Sequence, residues 1–255
     1  MKPILNKDFG IYVWTSDTNI ACLPAWAYLF NKFWCYETEV RVLGYTKPNF
    51  DLPENFKFIS LGKQRGPKFW SNDMIDYYSN CEHEYFYAMF EDGFIIDHVN
   101  KEILDLAMKV AFTNYKDTFF RFNLSLDTQQ RPHRVLKQYN NFNLIEAAQG
   151  THYRQSTQHS IWSKKRFLEK LRPNMSPWDF ELDNRSAMYD GLAVYATSQN
   201  FAIRMGHGYK RGVKIKNWYE ENSGYHKIPS GQGISLTTED IEFIEKNGWM
   251  PNVLK

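Results

Sequence analysis

The first hundred residues alternate short apolar runs with stretches of helical rhythm. Phe9-Gly10-Ile11-Tyr12-Val13-Trp14 reads as a first strand, and Thr15-Ser16-Asp17-Thr18-Asn19 as the polar turn after it. Residues 20–34 repeat apolar positions at helical spacing, with Pro24 in the first turns, where a missing N–H is tolerated. Residues 39–45 predict a second strand. Pro48 and Pro53 break the chain before a short third strand at 56–60, a loop at 62–67 and a helix over 69–79. Tyr85-Phe86-Tyr87-Ala88-Met89-Phe90 is aromatic and apolar throughout, as suits a strand buried on both faces. Strand–helix–strand order with short crossovers predicts one large α/β domain, its twisted, mostly parallel sheet covered by helices.

The later pattern is less regular. Residues 100–114 predict a helix, with Ile103, Leu104, Leu106, Ala107, Val110 and Ala111 on one face. Residues 118–124 read as a strand, 129–143 as a loop or extended crossover, and 156–171 as a helix ending before Pro173. A terminal helix at 238–247 starts with a capping signal, Ser235 and Thr237 ahead of Glu239 and Asp240, and Gly248 can stop it.

Composition narrows the classes. Lys and Arg number 31 against 29 Asp and Glu, too balanced to predict nucleic-acid binding from overall charge. The 19 Phe, 16 Tyr and 8 Trp can build a large core, and those left exposed can stack against rings. Cys22, Cys35 and Cys81 form no CxxC knuckle and are expected to be reduced. With no signal-peptide segment at the start and no apolar stretch long enough to span a bilayer, a cytoplasmic protein is expected, with peripheral membrane association left open. Glycine motifs for dinucleotides and the P-loop, the Gly-x-Ser-x-Gly elbow and the His-Glu-x-x-His zinc motif are all missing.

Two acidic clusters carry candidate chemistry. The strand at 85–90 ends on Glu91-Asp92-Gly93, and in an open α/β sheet ligands bind at the carboxyl ends of strands. Two acids there can hold a divalent cation together with substrate phosphates; they can also cap the next helix, and Gly93 lets the chain turn away. The second cluster is Ser176-Pro177-Trp178-Asp179-Phe180-Glu181. Trp178 or Phe180 can pack on a sugar face and Glu181 can take a proton from an attacking hydroxyl. The plainer reading is a short helix start with its aromatics in the core.

Residues 85–97, Gln158-His159-Ser160-Ile161-Trp162 and 176–181 together resemble microbial and phage glycosyltransferases of the nucleotide-sugar-dependent A fold. Trp14-Thr15-Ser16-Asp17, Leu29-Phe30-Asn31-Lys32-Phe33-Trp34 and Phe58-Ile59-Ser60-Leu61-Gly62 with Trp70 beyond also fit that pattern, so the resemblance covers roughly residues 9–190. It implies a nucleotide-sugar half at about 9–125 and, from about 126 to 255, an acceptor half with a closing segment. Glu91-Asp92 would stand at the family's acidic metal motif, usually Asp-x-Asp. Asp92 is then the candidate for a Mn²⁺ or Mg²⁺ bound to the diphosphate, with Glu91 orienting the sugar or a metal-bound water and His207 a later metal or phosphate contact. Asp17 would meet base or ribose, unless it only closes an Asx turn. Trp70 and Asp73 would approach the donor sugar, or else anchor their helix. Lys63 and Arg65 are candidates for phosphate, or a solvated basic turn. Arg154, Gln155 and Gln158 would line the acceptor side, with Gln158 and Trp162 four apart on one helix face.

The expected activity is metal-dependent, inverting transfer of a sugar from a nucleoside diphosphate to a hydroxyl on a glycan or lipid-linked acceptor, with Glu181 as base. Hydroxymethylated DNA is a second acceptor class, for which Arg131, His133, Arg134 and Lys137, and Lys210, Arg211, Lys214 and Lys216, are candidate phosphate contacts. The same residues also allow a nucleotidyltransferase, a sugar-nucleotide hydrolase or a non-catalytic carbohydrate-binding protein.

Overall fold

The computed structural model describes residues 8–114, 117–183, 189–210, 213–219 and 233–250. Strands β1 (Phe9–Trp14), β2 (Val40–Gly44), β3 (Phe56–Ser60) and β4 (Tyr85–Phe90) are parallel, with helices α1 (Leu23–Phe30) and α2 (Trp70–Ser79) in the crossovers. These elements follow the apolar pattern closely. Next come β5 (Gly93–Ile95), α3 (Lys101–Lys109), β6 (Phe119–Asn123), β7 (His133–Gln138), β8 (Asn143–Ala147), β9 (Ser160–Ser163), α4 (Lys164–Lys170) and α5 (Pro177–Leu182). The remaining elements are β10 (Ala193–Ser198), β11 (Met205–His207), β12 (Tyr209–Lys210), β13 (Val213–Lys214) and α6 (Thr238–Lys246).

Nine strands form one sheet in the order β3-β2-β1-β4-β9-β6-β10-β8-β7. Only β9 and β8 run against the other seven, as the pairings of β4 with β9, β9 with β6, β10 with β8 and β8 with β7 show. The expected architecture, a large α/β domain with a mostly parallel sheet between helices, is the one observed. Residues alternate between two apolar layers. Ile11, Val13, Tyr87 and Met89 face one, with α1 and α3, whereas Tyr12, Trp14, Phe86 and Ala88 face the other, with α2, α4 and α5.

Two expected elements are different. Residues 156–171 do not form one helix: Ser160-Ile161-Trp162-Ser163 is β9, inserted antiparallel between β4 and β6, and only α4 follows it. All four β9 residues are buried, so no alternation betrays the strand. Trp162 is therefore packed in the sheet and does not share a helix face with Gln158. Residues 129–143 are likewise more than a loop, since β7 and β8 pair as a hairpin that ends the sheet. The β7 residues are mostly exposed, as on an edge, which hid the strand behind its polar composition. The capping box at α6 forms between Thr237 and Asp240, and Gly248 (φ +67°) stands just past the helix. None of the three cysteines is in a disulfide. Among the described residues no helix is long and apolar enough to cross a membrane.

Candidate active site

After β1 the chain moves outward through β2 and β3, then returns to the other side of β1 as β4. Between β1 and β4 the direction of winding reverses, and the carboxyl ends of the flanking strands leave a crevice. The register Trp14↔Phe90 brings both strand ends level, and the Glu91 N–H donates to the Trp14 carbonyl at 3.2 Å. The polar turn 15–19 and the acids 91–92 thus meet at one edge. A cleft of about 1260 Å³ opens there, with Asp17, Trp70, Glu91, Asp92, Gln158, Trp178, Glu181 and His207 in its lining. Eight of the sequence candidates, from segments far apart in the chain, are brought together.

Glu91 is 1% exposed, and its Oε2 has no hydrogen-bond partner among the described residues. Burial, then the neighbouring Asp92 charge, pushes its carboxyl well up. Burial also pushes Asp92 up to about 6. His207 arrives through tertiary pairing. β11 runs antiparallel to β5 with His207 opposite Gly93, and the Gly208 N–H donates to the Asp92 carbonyl at 2.8 Å. Burial lowers the His207 pKa, which favours the neutral imidazole that can ligate or accept. Gly93 itself has no left-handed backbone; a Cβ there would lie 2.0 Å from the Met89 methyl carbon. The glycine makes room for Met89 and does not serve as the turn expected of it.

Two adjacent carboxyls, one with an unpartnered buried oxygen, are oxygen donors of the kind a hard divalent cation takes, and His207 lines the same cleft. Among the described residues no group of three or more His, Cys, Asp or Glu side chains is placed to hold a metal ion. Such a cation would therefore take further oxygens from water or a substrate.

Glu181 sits on α5, which begins with a capping box between Ser176 and Asp179 and carries Pro177 in its first turn. The Glu181 Oε1 accepts from the Thr157 N–H (2.5 Å) and the Thr157 hydroxyl (2.7 Å). Burial raises the Glu181 pKa, and the Thr157 bonds offset part of that. Behind Thr157 lies a buried network. Ser156 donates to the Asp127 Oδ2 at 2.7 Å, and Arg121, with no exposed surface, donates to the Ser156 hydroxyl at 3.1 Å. Trp178 is 62% exposed at the cleft, whereas Phe180 is fully buried against Trp70, Trp162 and Phe167, so the sugar-stacking role expected of Phe180 is corrected.

Further candidates are placed differently. Asp17 lines the cleft, but its two carboxylate oxygens accept from the Thr46 N–H (2.9 Å) and hydroxyl (3.0 Å), a long-range tie and not an Asx turn. Arg65 pairs with Asp73, which also accepts from the Tyr45 hydroxyl at 2.9 Å; neither Arg65 nor Asp73 lines the cleft, and Lys63 lies exposed outside it. Arg154 is buried against Asp190 and the Leu192 carbonyl, and Gln155 donates to the Phe180 carbonyl. Those side chains brace the wall rather than line it. Of the basic residues, Arg131 pairs with Asp127, Arg134 with Glu146 and Lys214 with Glu245, while His133, Lys137 and Lys216 do not line the cleft. The Lys210 side chain and Arg211 lie outside the described residues. Thr157 and Tyr153 are among the cleft residues that sequence reasoning missed, because nothing local marks which polar or aromatic residue of an irregular segment reaches the cleft.

No protein-family model matches the sequence, and no curated protein matches it. Among solved structures, S. aureus TarS 1–349 is similar over 76% of this chain at 15% identity and a TM-score of 0.46. This chain spans 59% of that one. The same TarS fragment in complex with UDP-GlcNAc is similar at 12% identity and a TM-score of 0.44, over 76% of this chain and 57% of that one. A cytidylyltransferase from Leptospira borgpetersenii serovar Hardjo-bovis is similar at 14% identity and a TM-score of 0.47, over 98% of this chain and 99% of that one. These are distant likenesses in α/β architecture. What the chain does is read from its cleft.

Proposed function

We propose that this chain transfers a sugar from a nucleoside-diphosphate sugar to a hydroxyl acceptor, with inversion at the anomeric carbon. The observation that carries this reading is the pairing, in one cleft at the switch point, of a charge-frustrated carboxyl pair with a separately held, pKa-raised glutamate. The lining holds four carboxylates, Asp17, Glu91, Asp92 and Glu181, with no Lys or Arg among its described residues. A diphosphate entering such a cleft needs a cation as company. Asp92, with Glu91 next to it and His207 in the same lining, would hold Mn²⁺ or Mg²⁺, which would neutralise charge on the departing diphosphate.

Glu181 serves as the base. Both bonds from Thr157 fall on Oε1, fixing the carboxylate and leaving Oε2 to take the acceptor proton. Asp17 and Trp70 belong to the donor side, at the carboxyl end of β1 and the start of α2; Gln158 and Trp178 belong to the acceptor side with Glu181. The division into a donor half before about residue 125 and an acceptor half after it follows the same lines. Nucleotidyl transfer fits less well, because both of its substrates are polyanions and the described lining is acidic.

The test is mass-spectrometric detection of turnover across a panel of nucleotide sugars, each with and without Mn²⁺. Metal-dependent release of a nucleoside diphosphate together with a new glycosidic bond is the expected result. Transfer of a nucleotide, or release of free sugar alone in the presence of hydroxyl acceptors, would overturn it in favour of the nucleotidyltransferase or hydrolase.

A further inference from the structure

Two exposed aromatic rings line the cleft that holds Glu181. Trp178 (62% exposed) precedes Glu181 by three residues on α5 and shares its helix face. Tyr153 (37% exposed) lies on the segment that binds Glu181 through Thr157, and it lines the same cleft. Its turn is closed by the Ser156 N–H donating to the Tyr153 carbonyl at 3.1 Å. The next residue, Thr157, makes the two bonds to Glu181, and Gln155 donates to the Phe180 carbonyl. The two mounts are therefore tied together at the carboxylate.

Tyr153 is held in a way that packing alone does not explain. Its φ of +59° is in the left-handed region, which a tyrosine adopts at a cost. The Arg131 guanidinium lies 4.7 Å from its ring centroid, covering one face. Arg131 in turn donates to the Asp127 Oδ1 at 3.0 Å, and Asp127 accepts from Ser156. A strained backbone, a cation backing the ring and a buried network all fix the orientation of a side chain that ends in an open cleft.

We propose that Tyr153 and Trp178 are the walls of a subsite for an uncharged sugar ring of the acceptor, placed so that one ring hydroxyl meets Glu181. This assignment rests on the transferase reading above. Aromatic faces accept the C–H-rich face of a pyranose, and such a ring brings no charge into a cleft lined by four carboxylates. A phosphate-rich DNA acceptor would bring repulsion to the same place.

Saturation-transfer NMR tests the subsite directly. The probes are the methyl glycosides of glucose, galactose and N-acetylglucosamine, with a duplex containing hydroxymethylcytosine as the charged competitor. The proteins are wild type, Trp178→Ala, Trp178→Phe, Tyr153→Ala and Tyr153→Gly. At least one neutral glycoside is expected to bind wild type through its ring C–H protons, and to bind each alanine variant about 10-fold more weakly. Trp178→Phe should recover part of the loss. Tyr153→Gly should lose binding like Tyr153→Ala yet melt no lower than wild type, because glycine accepts the positive φ.

Absence of glycoside binding to wild type, unchanged binding in the alanine variants, or binding of the duplex alone would overturn the subsite. Donor turnover by wild type judges the transferase reading separately. Turnover with a failed subsite leaves that reading standing and moves the acceptor elsewhere in the cleft. A glycoside bound by the two rings without turnover of any donor overturns the transferase reading and leaves a carbohydrate-binding protein.

Discussion

The two acidic stations of the cleft differ in how their burial is compensated. At the end of β4, Glu91 is buried beside another carboxyl and keeps an oxygen without a partner among the described residues. On α5, Glu181 is half-buried, Thr157 donates twice to it, and the Arg121 charge lies near enough to lower its pKa. The first arrangement lacks positive charge and would be relieved by a cation; the second has donors to its carboxylate and is merely shifted, as would suit a group that cycles one proton. Similar side chains in one cleft are given different chemistry by their surroundings.

The largest effect expected from this contrast is at Glu181. Glu181→Gln should lower kcat for transfer by about 10³-fold while donor binding persists, since the amide can still accept from Thr157 but takes no proton. Steady-state kinetics beside donor titration check this, and full activity with intact folding would remove Glu181 as the base. At the other station, Asp92→Ala should lower metal-dependent turnover by about 10²-fold and abolish the difference between assays with and without Mn²⁺. If Mn²⁺ still stimulates the variant, the cation is held elsewhere.

Stability should respond in the opposite sense. A folded-state pKa raised to about 6 means that the neutral Asp92 carboxyl is favoured in the fold, so stability present at low pH is lost as pH rises through that value. Asp92→Asn should therefore be more stable than wild type by about 2 kcal/mol at pH 8, about 5 °C in melting temperature, with the gain shrinking towards pH 4. Glu91→Gln should shift in the same direction. Mn²⁺ should raise the wild-type melting temperature at pH 8 more than at pH 5, where protons compete for the same oxygens. Melting curves across pH would break the comparison if either variant were destabilised at pH 8.

The smallest effect concerns the rate profile. The raised Glu181 pKa predicts that transfer rises with pH along a limb above the ordinary glutamate range, because the base must be ionised to act. Asp127 helps to raise that pKa. Asp127→Asn should move the limb down while also destabilising the fold, since Arg121 and Arg131 lose their counter-charge. A limb at the ordinary glutamate position in wild type would argue against Glu181 as the titrating base.

Much of this molecule is local. The apolar run of 85–90, its end on two acids, and the strands and helices on either side are dictated by which residues are apolar and where glycine and proline interrupt. The sequence alone thus determined the α/β class, the parallel half of the sheet, the acids at its edge and the cap of α5 under Glu181. Local pattern does not carry the antiparallel half. β9 is a four-residue strand buried on both faces, and β7 is a polar edge; each is a strand only because a neighbouring strand pairs with it. Tertiary structure also decided which candidates meet. It brought His207 to the cleft through β11, gave Glu181 the two bonds of Thr157 and put Tyr153 in the same cleft as Trp178. It withdrew Arg65, Asp73 and Arg154 into ion pairs. The reason is physical: a side chain's partners, and with them its charge and pKa, are set by residues distant in sequence, whereas its preference for strand, helix or turn is set mostly by its neighbours.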